Sequence, residues 1–187
     1  MEILEAIAKR RSVRAYTDRP VERSIVTKLI KAAIQAPSAM NRQPWAFGVV
    51  EGREPLARYS EAARVQYLQE LGSTPEDEGM RKHLEAPGFN MYYNASTLII
   101  ILSRTAEGSQ GEEDCSLAAQ NVMLAACAEG LATCAIGFAR PWLNSPEGRR
   151  QAGIPDGYTA VFPIIVGYAS DEVPPVPRKA PDMLFWR

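Results

Sequence analysis

The sequence predicts an α+β or α/β sandwich, and three observations carry that prediction. Apolar residues recur at helical spacing in about five segments. Four shorter segments, rich in β-branched and aromatic residues and bounded by Gly or Pro turns, read as strands. The two kinds of segment interleave along 187 residues, a length that suits one domain with a real core.

Each element has its own signature. Ile3, Leu4 and Ile7 mark one face of a first helix that runs out near Arg10. Behind Pro20, a second helix carries Ile25, Leu29, Ile30, Ala33 and Ile34 and stops at Pro37, whose ring and missing N–H end a helix. Trp45 to Val50 reads as a strand closed by the Glu51-Gly52 turn, and Glu54 to Leu71 as a helix. Gly72 to Gly79, rich in Gly, Pro and acidic residues, reads as a mobile loop and a candidate lid. Thr97 to Leu102 is β-branched and continuously apolar, the pattern of a strand buried on both faces. Asp114 reads as the N-cap of a long Ala-rich helix ended by Gly130. Thr133 to Gly137 predicts a short strand, Ser145-Pro146 the opening of a short helix, and Thr159 to Gly167 a last core strand. Residues 170–187 predict an extended arm, because Pro174, Pro175, Pro177 and Pro181 exclude helix and central strand.

Composition narrows the function classes. Apolar residues make up 46% and charged residues 23%, which indicates neither disorder nor a fibrous repeat. With 21 basic and 22 acidic side chains the formal charge is -1, so there is no electrostatic footprint for nucleic acid or an anionic membrane. The longest apolar run, Leu98 to Leu102, is too short to span a bilayer, and the acidic N-terminus lacks the pattern of a signal peptide. A cytoplasmic protein is the expectation. Cys115, Cys127 and Cys134 match no metal or redox spacing, so no metal site is expected. His83 is the only histidine, which removes multi-histidine metal chemistry and reads as a solvated surface residue rather than a general base. If the chain is an enzyme, an organic cofactor carries the hard chemistry.

Four segments offer binding chemistry. Arg10-Arg11-Ser12-Val13-Arg14 sets three guanidiniums and a hydroxyl at a helix end, as favourable helix C-terminal charge or as a phosphate site. Pro37-Ser38-Ala39-Met40-Asn41-Arg42-Gln43-Pro44 is a proline-bracketed loop without negative charge. Its amides suit the edge of a planar heterocycle, and the same residues suit a tight turn satisfied through Ser38 and Asn41. Gly130 to Gly137, with Cys134, Ala135, Ile136 and Gly137 at its end, has side chains small enough for a flat group to approach the backbone; its Gly also fits a bulge. Arg178-Lys179 puts two cations on the stiff arm, fixed for a ligand or simply solvated.

In this order the four segments resemble the FMN-dependent nitroreductase family: RRSVR at 10–14, APSAMNRQPW at 36–45, GLATCAIG at 130–137 and PPVPRK at 174–179. The resemblance covers nearly the whole chain. It implies a three-layer α/β/α sandwich with a mainly antiparallel mixed sheet, a homodimer with FMN at the subunit interface, and NAD(P)H as electron donor. It implies that Arg10, Ser12 and Arg178 hold the FMN phosphate with Arg11 and Lys179 beside them, and that Arg14 meets the pyrimidine edge as an electrostatic stabiliser of reduced flavin. Pro37, Ser38, Ala39, Asn41 and Gln43 come from the partner subunit, with Ala39 and Met40 facing substrate. Cys134, Ala135, Ile136 and Gly137 line the other side, with Ala135 standing where many members carry Trp. The implied reaction is ping-pong transfer of hydride from NAD(P)H through FMN to a nitroaromatic, quinone or similar acceptor, with no side-chain acid or base. Flavin fragmentation, reductive dehalogenation and a nonenzymatic flavin-binding or redox-sensing role are the alternatives. Separately, Met183-Leu184-Phe185-Trp186 adds a physical motive for dimerisation, since so much apolar area favours docking on a partner.

Overall fold

The structure, a computed structural model, describes residues 1–187. Strand β2 (Thr97–Arg104) organises it, because its apolar side chains point alternately to two separate cores. Leu98, Ile100 and Leu102 join one core with Leu56, Tyr59, Trp142 and Leu143. Ile99 and Ile101 join the other with Leu29, Ala118 and Val122. A strand buried on both faces is what its continuous apolar run predicts.

The sheet has the order β1-β2-β4-β3, with β1 at Trp45–Glu51, β3 at Ala132–Ala135 and β4 at Tyr158–Gly167. All three ladders are antiparallel. A parallel component enters at the β3 edge, where Ser12 bridges Thr133. Helices cover both faces and make three layers. On one side lie α3 (Arg53–Glu70), α6 (Arg140–Asn144) and α7 (Pro146–Ala152); on the other lie α2 (Arg23–Ala33) and α5 (Gly108–Ala128). Ala118, Ala119, Val122 and Ala126 give α5 a small-residue face that packs closely on Leu29 and Ala33 of α2.

Three expectations change. Of the loop expected over Gly72 to Gly79 only 72–74 is irregular: α4 spans Pro75–Leu84, opened by a capping box in which Thr74 and Asp77 satisfy each other's backbone N–H groups. Pro75 at the first helical position and Glu76, Asp77 and Glu78 in the first turn are helix-starting signals that a loop reading mistakes for breakers. The long helix begins seven residues earlier than expected, with Glu107 rather than Asp114 at its N-cap position, and Asp114 is buried inside it. Polar Gly108 to Glu113 can be helical because Gly111 presses against Ser103, where a Cβ would overlap the hydroxyl. The strand expected over Thr133 to Gly137 ends at Ala135, and Gly137 opens a 3-10 turn instead.

Helix α1 (Ile3–Lys9) buries only Ala6 and leaves Ile3, Leu4 and Ile7 exposed. The arm from residue 170 is extended and exposed except at Val173, which is half-buried against the core.

Candidate active site

The chain leaves α1 at Arg10 and runs beside β3. Val13 donates its N–H to the Thr133 carbonyl at 3.0 Å, and Ser12 pairs with Thr133 in parallel. Val13 is buried, so strand-like alternation turns Ser12 and Arg14 outward. Tyr16 locks the segment from below: its ring is buried and its hydroxyl donates to the Val13 carbonyl at 2.8 Å. Gly167 makes this possible, since a Cβ there would lie 2.8 Å from the Tyr16 ring.

On the adjoining edge, Cys134 and Ile136 turn inward while Ala135 and Gly137 stay exposed. The Ile136 N–H donates to the Pro163 carbonyl at 2.8 Å, which continues the edge past the end of β3. Arg14, Tyr93, Phe89 and His83 close a cleft of about 240 Å³ over Cys134 to Phe138. The same four residues also line a second, more polar cleft of about 510 Å³ that reaches Asp18, Arg53, Asn90 and Asn94. The Arg14 guanidinium lies over the Tyr93 ring at 5.9 Å. Ten ion pairs form in the chain, and none takes Arg10, Arg14, Arg178 or Lys179.

Burial pushes the Cys134 thiol above its ordinary range, against the opposing pull of Arg14, the Ser12 hydroxyl and Arg10. It therefore stays protonated at neutral pH and serves as a small apolar wall rather than a nucleophile. The chemistry on offer is cationic and apolar: an uncompensated guanidinium, aromatic sides and an open backbone edge, with space beside Gly137 where a Cβ would meet nothing within 4 Å. A planar, electron-poor ring with an anionic tail fits this set.

Not every residue singled out in the sequence lines this cleft. Arg14 does, but Arg10 and Ser12 do not, and Arg10 borders a separate cleft with Met123 and Cys127. Arg11 turns back and donates to the carbonyls of Ala8 and Arg10, at 2.5 and 2.9 Å, which caps α1. Arg178 and Lys179 sit on the exposed arm, without a bond to Arg10 or Ser12 within the chain. The loop 37–43 leads into β1, the opposite edge of the sheet from β3. Three strand spacings of about 4.8 Å separate those edges by about 14 Å.

Within the loop, Ser38 Oγ accepts the Gln43 N–H, and Gln43 Nε2 donates to Asn41 Oδ1, both at 3.0 Å. It is the self-satisfied turn that the sequence allowed, with Asn41 and Gln43 still exposed. Pro37 is exposed, while Ser38 and Ala39 are half-buried.

The sequence missed His83, Phe89, Met91, Tyr93 and Phe138 as cleft residues. His83 is exposed as expected, yet it stands edge-on to Phe89, with ring centroids 5.4 Å apart. Three aromatics at Phe89, Tyr92 and Tyr93 in a short connection were the available signal. Tyr93 and Asn94 both take left-handed backbone, with φ of 51° and 56°, which turns Tyr93 toward the cleft.

Comparison with known proteins identifies the family and the fold. A relative from Archaeoglobus fulgidus, provisionally named an NADH dehydrogenase/NAD(P)H nitroreductase, is 31% identical over 175 residues, covering 91% of this chain and 87% of its own. Pig iodotyrosine deiodinase 1 is 26% identical, over 98% of this chain and 68% of its own. Among solved structures, a nitroreductase with bound FMN from Bacteroides fragilis superposes with a TM-score of 0.83 at 25% identity, covering 100% of this chain and 98% of that one. The nitroreductase family pattern itself matches residues 7–168, the span that contains both sheet edges and the cleft between Arg14 and Gly137, and the chain belongs to the nitroreductase family.

Proposed function

We propose that this protein is an NAD(P)H-dependent FMN oxidoreductase that acts as a homodimer on nitroaromatic, quinone or similar conjugated acceptors. One observation carries the reading: the Ser12–Thr133 bridge sets the Arg10–Arg14 segment against the 132–137 edge, so residues about 120 positions apart line one cleft. The 132–137 edge, with Arg14 across from it, is where the FMN ring would lie. Arg10 and Ser12 would take its phosphate, joined by Arg178 and Lys179 of an arm docked in the dimer. Arg14 would face the pyrimidine edge, and Cys134 to Gly137 would lie along the ring. Bound there, FMN would supply two-electron transfer between NAD(P)H and the acceptor.

The protein's own part is to bind, orient and bias. Arg14 places an unpaired positive charge where added negative charge is stabilised. The small residues Ala135 and Gly137 leave the face of the site open, so donor and acceptor can use it in turn. No side chain is needed as an acid or base, because the cleft is open to water.

Two chains are needed for a complete site. The loop 37–43 lies on the wrong edge of the sheet to reach its own cleft, and it is supplied by a second copy. Exposed Ile3, Leu4 and Ile7 on α1 and Met183 to Trp186 on the arm provide the apolar area for that association.

The test is the visible spectrum of purified protein, followed by turnover. Flavin bands released as FMN on denaturation, with NAD(P)H consumed in step with 4-nitrobenzoate and parallel-line kinetics, are expected. A colourless protein that takes up no FMN overturns the reading. The deiodinase similarity favours one second reading, reductive dehalogenation in the same cleft. It predicts iodide release from iodotyrosine faster than reduction of nitroaromatics.

A further inference from the structure

Asp114 is the only charged residue in the buried core, 6% exposed, and it joins no ion pair. A carboxylate is costly to bury unless something specific receives it. What receives it is the Ala39 backbone: both carboxylate oxygens accept that one N–H, at 3.2 Å each. The bond joins residues 75 positions apart, from the buried side of α5 to the first residue of the turn that displays Met40, Asn41 and Gln43.

That turn is strained. Met40, Asn41 and Gln43 have φ of 51°, 54° and 47°, and none is glycine. Such backbone persists only where its surroundings over-determine it. Met40 is 87% exposed, so packing does not hold it. The Ser38–Gln43 and Asn41–Gln43 bonds lie within the turn and move with it. Arg42 is tied to Glu107 at 2.9 Å, but that pair is half in water and holds a side chain rather than the backbone. From β2, the exposed Arg104 side chain reaches the Arg42 and Gln43 carbonyls at the far end of the turn, both at 3.5 Å. Asp114 is the buried anchor, and it fixes where the turn begins.

We infer that Asp114 is a positioning residue for the cofactor site of the other subunit: it holds Ala39 so that the strained Met40–Gln43 turn is presented, ready-formed, to a second copy's FMN. The inference rests on the two-chain FMN site proposed above. It adds a residue outside the cleft whose effect is felt across the interface and not in its own chain's cleft.

The test uses holoenzyme and mixed dimers. Asp114→Ala is expected to weaken FMN affinity about tenfold, the scale of loss when a half-buried N–H is deprived of a charged acceptor. Asp114→Asn, which keeps an oxygen acceptor, is expected to restore affinity to within about threefold. Ala39→Pro deletes the donor and leaves Asp114 in place, so it repeats the loss even if Asp114→Ala fails to fold. The deciding measurement pairs an Asp114→Ala chain with a chain carrying Arg10→Ala and Ser12→Ala. If Asp114 acts across the interface, both defects fall in one site and the other is intact, giving one tightly bound FMN per mixed dimer. A mixed dimer with no tight site overturns the inference while leaving the two-chain site standing. Unchanged FMN affinity in both Asp114→Ala and Ala39→Pro also overturns it. A monomeric protein that binds FMN overturns the two-chain reading and this inference together.

Discussion

The Arg14 guanidinium lies over the ring of Tyr93, 5.9 Å from its centroid, and no carboxylate neutralises it. A cation held by an aromatic face keeps its charge available, whereas a salt bridge would cancel it. Arg14→Ala is therefore expected to lower the flavin potential and slow NAD(P)H oxidation. A charge-assisted hydrogen bond contributes about 1.5–3 kcal/mol, so the rate falls about 10- to 100-fold. Arg14→Lys keeps the charge without the planar fork and lies between. Dye-equilibration potentials and stopped-flow reduction of holoenzyme check both. An unchanged potential removes Arg14 from this role.

Cys115 predicts a loss of stability in alkali. Its thiol is fully buried in α5 and faces the Leu102 carbonyl at 3.6 Å, and burial raises it from an ordinary value of 9 to about 11. Above pH 9 the unfolded chain ionises this thiol and the folded chain does not, so the unfolded state binds fewer protons and stability falls as pH rises. The contribution is complete below pH 9 and lost by about pH 11. Urea midpoints between pH 8 and pH 10.5 are expected to fall more steeply for the wild type than for Cys115→Ala. Equal slopes would show that the thiol is not held neutral by the fold.

Much of this architecture is legible in the sequence, for reasons that can be named. The apolar run at 97–102 can only be a doubly buried strand, and the chain supplies two cores to bury it. Of the four segments singled out as binding candidates, the structure sets two, 10–14 and 130–137, side by side through the Ser12–Thr133 bridge. Residues 72–94 were not legible, because Pro75 with three acids signals a helix start or a loop equally well until Thr74 and Asp77 are seen to cap each other. Asp114 misled for a related reason. Aspartate before an apolar helix is the usual N-cap, and only tertiary structure shows its carboxylate spent on Ala39 instead. The exposed face of α1 and the separation of loop 37–43 from Cys134 are likewise invisible to periodicity, which finds an apolar face without saying whose core it enters.

Glycines in helices divide sharply by surroundings, and a pair of variants tests the packing. Gly148 in α7 is buried where a Cβ would overlap the Trp142 carbonyl, so Gly148→Ala must push α6 and α7 apart at a cost of about 1–3 kcal/mol. Gly79 in α4 has nothing within 4 Å of such a Cβ, so Gly79→Ala is expected to stabilise by about 0.5–1 kcal/mol through helix propensity. Thermal unfolding of the two variants should move in opposite directions. A tolerated Gly148→Ala would mean that the α6–α7 contact is looser than described.

The arm provides the last prediction, because its tip exposes four large apolar residues in a row. Leu184 and Trp186 are 84% and 90% exposed, with Met183 and Phe185 beside them, after a run of prolines that cannot fold back as helix or central strand. Ser170 still donates its N–H to the Ala15 carbonyl at 3.1 Å, so a chain cut after Ser170 keeps the contacts that lock the Arg10–Arg14 segment. What it loses is the arm, with Arg178, Lys179 and the apolar tip. The truncated chain is expected to be monomeric or insoluble and to lose FMN, as read by light scattering and flavin absorbance. A second variant separates the two losses: Arg178→Ala with Lys179→Ala leaves the apolar tip, so it is expected to stay dimeric while binding FMN more weakly. A truncated chain that remains a flavin-loaded dimer would remove the arm from both roles.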